Sequence, residues 1–416
     1  MDSPCTQASA APLSVVGSTP CQAAFPFSIT LIFATLVGTS VLPLYASQAL
    51  MGGLAASLHL GAWTSLVTAL TLFGYAVGLF GLVPLIDRLP LRPLIGATLG
   101  TQAVALGVAA WTQSTGGFLA ASFVIGVSAS AIQMLIPAAG ALAGPAARGK
   151  VIGNVMSGLM LGILLSRPLA GLAAGTLGWR FFFAGDAVLL VLTLVLALPR
   201  VPALRPATRP RYLSLIGSLG RLIADEPVLR YHALCQGLLM AGFNAFWTSV
   251  AVVLARAPLS LGSLQIALFT LAGAASVVVA PLAGRAGDRG NAGPVARTAH
   301  RVALLGALIA ALALNPVLPT PISVLLLALA ACAIDASVIA DQTLGRRAIN
   351  LLAPEARGRL NGLYTGLFFL GSAVGAAVAG PVFAHAGWAG VCALSAAFFA
   401  GAALVHHVFL FERRAA

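Results

Sequence analysis

Arg167 stands in "LLSRPLAG" (Leu164–Gly171), inside a stretch from Val151 to Leu177 that holds no other charged residue. At the centre of a hydrophobic helix in lipid an arginine costs roughly 2.5–3.5 kcal/mol even on a lenient insertion scale. It therefore faces protein, a partner charge or a water-filled cavity. Three acids lie in comparably apolar surroundings: Asp186, Asp335 and Asp341. Such groups can neutralise one another as buried ion pairs, or they can bind a charged solute and carry protons. Other chemistries find no residues to carry them. The cysteines at 5, 21, 235, 332 and 392 are scattered without metal-site spacing, so neither a disulfide framework nor a metal is expected. The chain contains no HExxH, no GxSxG elbow and no GxxxxGK[ST] loop, so an enzyme, a cofactor or direct ATP drive is not expected.

The elements that must position these charges are membrane helices. Of 416 residues, 59% are hydrophobic and only 8% charged, against roughly 25% charged in soluble domains. Runs of about 20 apolar residues, each long enough to cross the hydrocarbon core, centre near residues 36, 74, 103, 129, 162, 189, 243, 273, 306, 331, 370 and 398. The predicted fold is an all-α integral membrane protein with twelve spans, its surroundings the lipid bilayer.

The net charge of +13 could suggest nucleic acid, but the basic residues fall on alternate loops. Twenty of 23 lie on one side; Arg180 and Arg256 lie on the other, and Arg167 lies within the membrane. This bias is the positive-inside rule, and it predicts both termini in the cytoplasm, a location in the inner (plasma) membrane, and no nucleic-acid partner. Residues 1–24 are small and polar, lack the basic start of a cleaved signal, and read as a disordered cytoplasmic tail.

The chain repeats itself. At an offset of 209, "PAARGKVIG" (Pro145–Gly153) lies over "PEARGRLNG" (Pro354–Gly362), and the register continues through Gln133 on Gln342, Gly162 on Gly371 and Gly178–Trp179 on Gly387–Trp388. At an offset of 201, Asp87–Arg88 falls on Asp288–Arg289. The expected organisation is a six-helix bundle over 25–198, a cytoplasmic linker over 199–230, a second bundle over 231–411 and a short tail over 412–416. Duplicated halves in a polytopic membrane protein imply alternating access, one bundle rocking against the other around a midplane site. Glycines at 158, 162, 171 and 175 on span five, and at 362, 366, 371 and 380 on span eleven, would let helices approach closely.

Arg167 lies about eight residues before the end of span five and Asp186 about seven residues into span six, which gives them similar depth. One reading is therefore a buried Arg167–Asp186 ion pair. The other is that Arg167, beside Pro168, faces the central pathway and binds an anionic group or tunes a proton-carrying acid.

These features resemble the major facilitator superfamily over essentially the whole chain, from about Phe25 to Phe411. The loop "VPLIDRLPLRP" (Val83–Pro93) is similar to its diagnostic motif at Leu85, Asp87, Arg88, Arg92 and Pro93, and departs at Val83, Pro90 and Leu91. A second copy, "GRAGDRG" (Gly284–Gly290), keeps Asp288 and Arg289, and "ARG" turns recur with Arg148 and Arg357. The resemblance implies a cytoplasmic gate made by these charges, in which an aspartate at a helix end accepts charge-assisted hydrogen bonds. Asp341, close in sequence to Arg346 and Arg347, is expected to join it as a salt bridge. The antiporter pattern of span five matches at Gly149, Gly158 and Gly162 and breaks at Ile163, Ser166 and Arg167.

In the superfamily, spans one, four, seven and ten line the cavity. That places Thr35 and Thr39 there from span one, and the stripe Ser122, Gly126, Ser130 and Gln133 from span four. Span seven would bring Gln236, Met240, Phe243 and Trp247 with Asn244 and Thr248 beside them, and span ten Asp335 and Gln342. Such a mix suits a partly apolar organic molecule. Asp335 is the expected proton-coupling acid, since a half-desolvated carboxylate can take and release a proton as access alternates; a structural hydrogen bond and direct cation binding are its other readings. The resemblance is closest to bacterial exporters of drug or sugar type. The expected function is proton-coupled efflux of small organic compounds such as drugs, metabolites or a secreted chelator, by a monomer. The alternative is proton-coupled uptake of an organic anion or sugar-like solute.

Overall fold

The computed structural model describes residues 27–201, 206, 211–352 and 357–415; the expected tail over 1–24 and residues 202–205 and 207–210 of the linker lie outside the described residues. Among the described residues there is no strand, as expected where lipid leaves every backbone group to be satisfied within its own segment. Eleven helical segments are long and apolar enough to cross a membrane. Spans one to six are Phe27–Leu58, Trp63–Asp87, Leu91–Trp111, Thr115–Leu142, Ala147–Thr176 and Trp179–Arg200. Spans seven to ten are Pro227–Ala255, Ser263–Asp288, Ala292–Leu312 and Thr320–Asn350.

The last segment, Gly358–Phe409, has 52 residues. At 1.5 Å per residue it is about 78 Å long, far more than the ~30 Å hydrocarbon core. Gly387 interrupts it with φ 60° and ψ −156°, a backbone conformation that costs glycine little. It therefore carries spans eleven and twelve, and the twelve expected crossings are present.

Small residues set the helix spacing, because in lipid packing rather than water exclusion drives association. Gly158 and Gly162 of span five lie against the backbone of Ala34 and Gly38 in span one; Gly371 and Gly375 of span eleven lie in the same way against Gly237 and Ala241 in span seven. A Cβ at any of these four glycines would come within 2.4 Å of a carbonyl oxygen. The internal repeat is thus visible as one packing seam used twice. Span six presents Val188, Leu192 and Val195 outward.

Two spans are irregular. Span four breaks after Ala129 and resumes at Ile132. Span eight runs as a 3₁₀ helix over Thr270–Val278 between α-helical ends, a long run for that geometry, which is normally limited to three or four residues. The linker contains a helix, Tyr212–Asp225, whose apolar side buries Leu215 and Leu219. Tyr212 donates to the carbonyl of Gly81 at 3.0 Å, and Arg359 donates to Ser218 Oγ at 3.3 Å.

Among the described residues the main contacts between the two halves lie in three places. Spans two and eleven meet through the edge-on rings of Tyr75 and Phe369, centroids 4.6 Å apart, and through Phe80 against Gly366. Spans five and eight converge at the end opposite the basic loops, with Gly171 facing Ala267 and Gly175 facing Ser263. Spans one and seven meet at the centre.

Candidate transport site

The centre is built on Trp247 of span seven. Its indole Nε1 donates to Asp335 Oδ1 of span ten at 2.8 Å, while the guanidinium of Arg167 lies over the ring face, 4.3 Å from its centroid. One indole therefore holds an acid of its own half by its edge and a cation of the other half by its face. Cation–π contacts of this kind strengthen when desolvated, to about 2 kcal/mol or more, and Arg167, Trp247 and Asp335 are all buried. Tyr45 and Phe243 complete the aromatic box around the guanidinium at 5.3 and 5.6 Å.

Polar bonds close the ring. Arg167 Nε donates to Gln48 Oε1 at 2.7 Å; Gln48 Nε2 donates to Asn244 Oδ1 at 2.9 Å; Asn244 Nδ2 donates to the Met240 carbonyl at 2.9 Å. Gln48 is thus fixed at both ends of its amide, and the Gln48–Asn244 bond crosses between the halves. Asp335 needs room on its other side, and Gly273 in the 3₁₀ stretch supplies it. A Cβ there would lie 2.2 Å from Asp335 Oδ2. A small cavity beside the ring is lined by Gln48, Arg167, Trp247, Phe269 and Thr270. Arg167 Nη2 is buried and has no hydrogen-bond partner among the described residues.

Arg167 is not paired with Asp186. Both carboxylate oxygens of Asp186 are buried without a hydrogen-bond partner among the described residues, and no ion pair links the two. Arg167 turns instead toward Gln48 of span one and Trp247 of span seven.

The expected cavity stripes fare unevenly. Phe243, Asn244, Trp247 and Asp335 belong to the centre. Gln133 donates to the Tyr75 hydroxyl at 3.3 Å, next to the Tyr75–Phe369 contact between the halves. Gln342 and Thr35 are half-buried. Thr39 is buried and spends its hydroxyl on the carbonyls of Thr35 and Leu36. Ser122 bonds the Phe118 carbonyl and Ser130 the Val127 carbonyl; Gly126 abuts Thr71, and Ser130 abuts Gly78. Gly126 and Ser130 of that stripe pack span four on span two. Gln236 is fully buried with neither amide atom bonded among the described residues, and the Thr248 hydroxyl is likewise unpartnered.

Of the charges expected at a cytoplasmic gate, Asp288 is paired. Arg347 Nε donates to Asp288 Oδ1 at 2.8 Å, while among the described residues Asp87, Arg88, Arg92, Arg148 and Arg289 form no ion pair. The side chain of Arg357 lies outside the described residues. Asp341 is not a gate residue: it is buried between spans nine and ten and pairs with His300, Nε2 to Oδ1 at 3.1 Å. Its proximity to Arg346 and Arg347 in sequence misled because its carboxylate bonds His300 of span nine instead. The Asp288–Arg347 pair is 73% and 37% exposed at its two side chains. Asp288→Asn is accordingly expected to lower stability by less than about 1 kcal/mol, as measured by thermal unfolding of the purified protein.

Several central residues gave little signal in the sequence. Tyr45 and Gln48, at i and i+3 in "YASQ", share a face of span one two turns beyond the threonines expected there. A glutamine in an otherwise apolar run was the available clue. Gly273 is one of 45 glycines, and nothing distinguishes it without Asp335 beside it.

Twelve crossings in two repeated bundles, joined by a buried charged ring at their interface, define a membrane transport protein. The sequence profile described as Major Facilitator Superfamily matches residues 27–344, and the chain belongs to that superfamily. It is 35% identical over 368 residues to the transporter YgaY of Escherichia coli, covering 88% of this chain and 91% of that one. It is 32% identical over 351 residues to the transporter SCO4007 of Streptomyces coelicolor, covering 81% and 76%. Among solved structures it is similar to the nucleoside transporter NupG, with TM-score 0.71 and 14% identity over 92% of this chain and 99% of that one. It is also similar to a D-xylose-proton symporter, with TM-score 0.67 and 18% identity over 91% and 97%.

Proposed function

We propose that this chain is a proton-coupled secondary transporter that exports small, partly apolar organic compounds across the inner membrane, working as a monomer with both termini in the cytoplasm. The observation that carries this reading is the Trp247 indole shared between Asp335 and Arg167. When Asp335 is ionised, the attraction of Arg167 to the Trp247–Asp335 unit draws the halves together. A proton on Asp335 removes that attraction and frees the interface to open. The proton is thereby tied to the step that exchanges access, and the aromatic box offers an apolar solute its contact surface.

A second reading rests on a separate observation. The buried, unpartnered Nη2 of Arg167 is a donor suited to a carboxylate, which favours uptake of an organic anion coupled to protons.

Everted membrane vesicles containing the protein, loaded with a pH-sensitive dye and energised, test both. On adding a chemically varied library, export predicts collapse of the proton gradient that requires the protein and disappears in Asp335→Asn. Collapse that persists in Asp335→Asn removes that residue's role. No response to any compound, with folded protein present, shifts the weight to uptake.

A further inference from the structure

A second set of titratable side chains is buried away from the centre, within spans seven, nine, ten and twelve. Tyr231 of span seven shares a hydrogen bond between its hydroxyl and His406 Nδ1 of span twelve, and stacks on Phe409 at 3.8 Å. The His406 ring meets the His300 ring of span nine edge-on, with centroids 5.2 Å apart. His300 Nε2 pairs with Asp341 Oδ1 of span ten at 3.1 Å. All four residues are buried. Two atoms at the inner end, His300 Nδ1 and Asp341 Oδ2, have no hydrogen-bond partner among the described residues.

These positions form a graded path. Tyr231 lies four residues into span seven, about 6 Å from its start on the side of the basic loops. Asp341 lies nine residues before the end of span ten, about 14 Å from that side. Asp335 is a different site: it is six residues earlier on the same helix and rotated about 120° from Asp341, toward Trp247.

The bonding leaves two ring nitrogens without a partner among the described residues, His300 Nδ1 and His406 Nε2, and of these rings it is His300 that bonds the carboxylate. With Asp341 ionised and His300 donating from Nε2, the Nδ1 nitrogen keeps its lone pair and meets no donor. The pair then carries a net charge of −1 in a buried place. One proton at Nδ1 converts it to an imidazolium–carboxylate pair of zero net charge, which a desolvated site tolerates far better. The groups that face this cluster are Tyr231, its ring neighbour His232, and Cys235 from span seven, Arg297 from span nine, Arg346 from span ten and Tyr364 from span eleven.

We infer that His300 and Asp341 form a proton-binding site of the second half, separate from Asp335, which takes up one proton from the basic-loop side past Tyr231 and His406. This inference does not depend on the substrate or on the direction of transport. Span ten then carries a protonatable acid on each of two faces.

The test is deuterium exchange at the histidine C2 position, read by mass spectrometry on the purified full-length protein across about pH 5 to 8, where imidazole titrates. His300 is expected to show a sigmoidal profile. In Asp341→Asn its midpoint should move down by at least about one pH unit, a tenfold weaker hold on the proton, because an amide cannot neutralise the imidazolium. A flat His300 profile in the unmodified protein, or a midpoint unchanged in Asp341→Asn, overturns the inference. Should that variant not fold, His300→Gln serves instead. Proton uptake on acidification, followed with a pH indicator, should then fall by about one per chain, and unchanged uptake overturns the inference equally.

Discussion

Arg167→Ala is expected to lower transport at least ~100-fold, about 2.7 kcal/mol of lost coupling at the rate-determining step, while leaving the protein folded. The guanidinium does three things at once: it bonds Gln48, covers the Trp247 ring and supplies a positive charge near Asp335. Alanine removes all three. Folding should survive, because deleting a buried cation also removes its desolvation cost, and the carboxylate left behind can neutralise itself by holding a proton. A permanently protonated Asp335 has nothing left to alternate. Arg167→Lys should fall between the two, since an ammonium keeps the charge but cannot stack on the indole and bond Gln48 in one planar geometry. Transport in vesicles set beside monodispersity and thermal unfolding separates these outcomes. Arg167→Ala with normal transport would falsify the central role given to this residue; loss of folded protein would make it structural.

Gly375→Ala should destabilise the protein by about 3 kcal/mol or more, at or above the top of the usual range for overpacking. The added methyl would sit 2.0 Å from the Ala241 carbonyl oxygen, and the obstacle is backbone rather than the end of a side chain that could turn away. Spans seven and eleven would have to separate, and span seven carries Asn244 and Trp247. Gly107→Ala is the control: its Cβ meets nothing within 4 Å, and alanine gains about 1 kcal/mol of helix propensity over glycine. Thermal unfolding in detergent should rank the unmodified protein far closer to Gly107→Ala than to Gly375→Ala. Equal unfolding temperatures for the two variants would show that the seam is looser than its geometry implies.

The architecture was legible because membrane helices depend on composition, length and charge placement, all of which are linear in sequence. The repeat added symmetry, and the paired glycines at 162 and 371 prove to occupy equivalent seams. What a single chain cannot give is the rotation of one helix against its neighbour. Asp335 and Trp247 were named separately, yet nothing in their spacing joins residues 88 positions apart by a hydrogen bond. Asp186 and Arg167 are placed at similar depth by residue counting, yet Arg167 bonds Gln48 and both Asp186 oxygens are unpartnered among the described residues. Ser122, Gly126 and Ser130 share a stripe, as expected, but small polar residues serve helix packing as readily as a pathway. Asp341 was assigned by its sequence neighbours, whereas its partner, His300, arrives from span nine.

The linker helix has a mechanical consequence. It is a rod pinned at its start and at its middle: Tyr212 is tied to Gly81 in the first bundle, and six residues on, Ser218 is tied to Arg359 in the second. The pins are about 9 Å apart along a helix that does not stretch. A swing that separates the bundles on this face loads the Tyr212–Gly81 bond, because the other end of the helix is held to span seven by the chain itself. The linker helix therefore works as a strut that runs through Glu226 alone into span seven of the second bundle and docks on the first bundle through Tyr212.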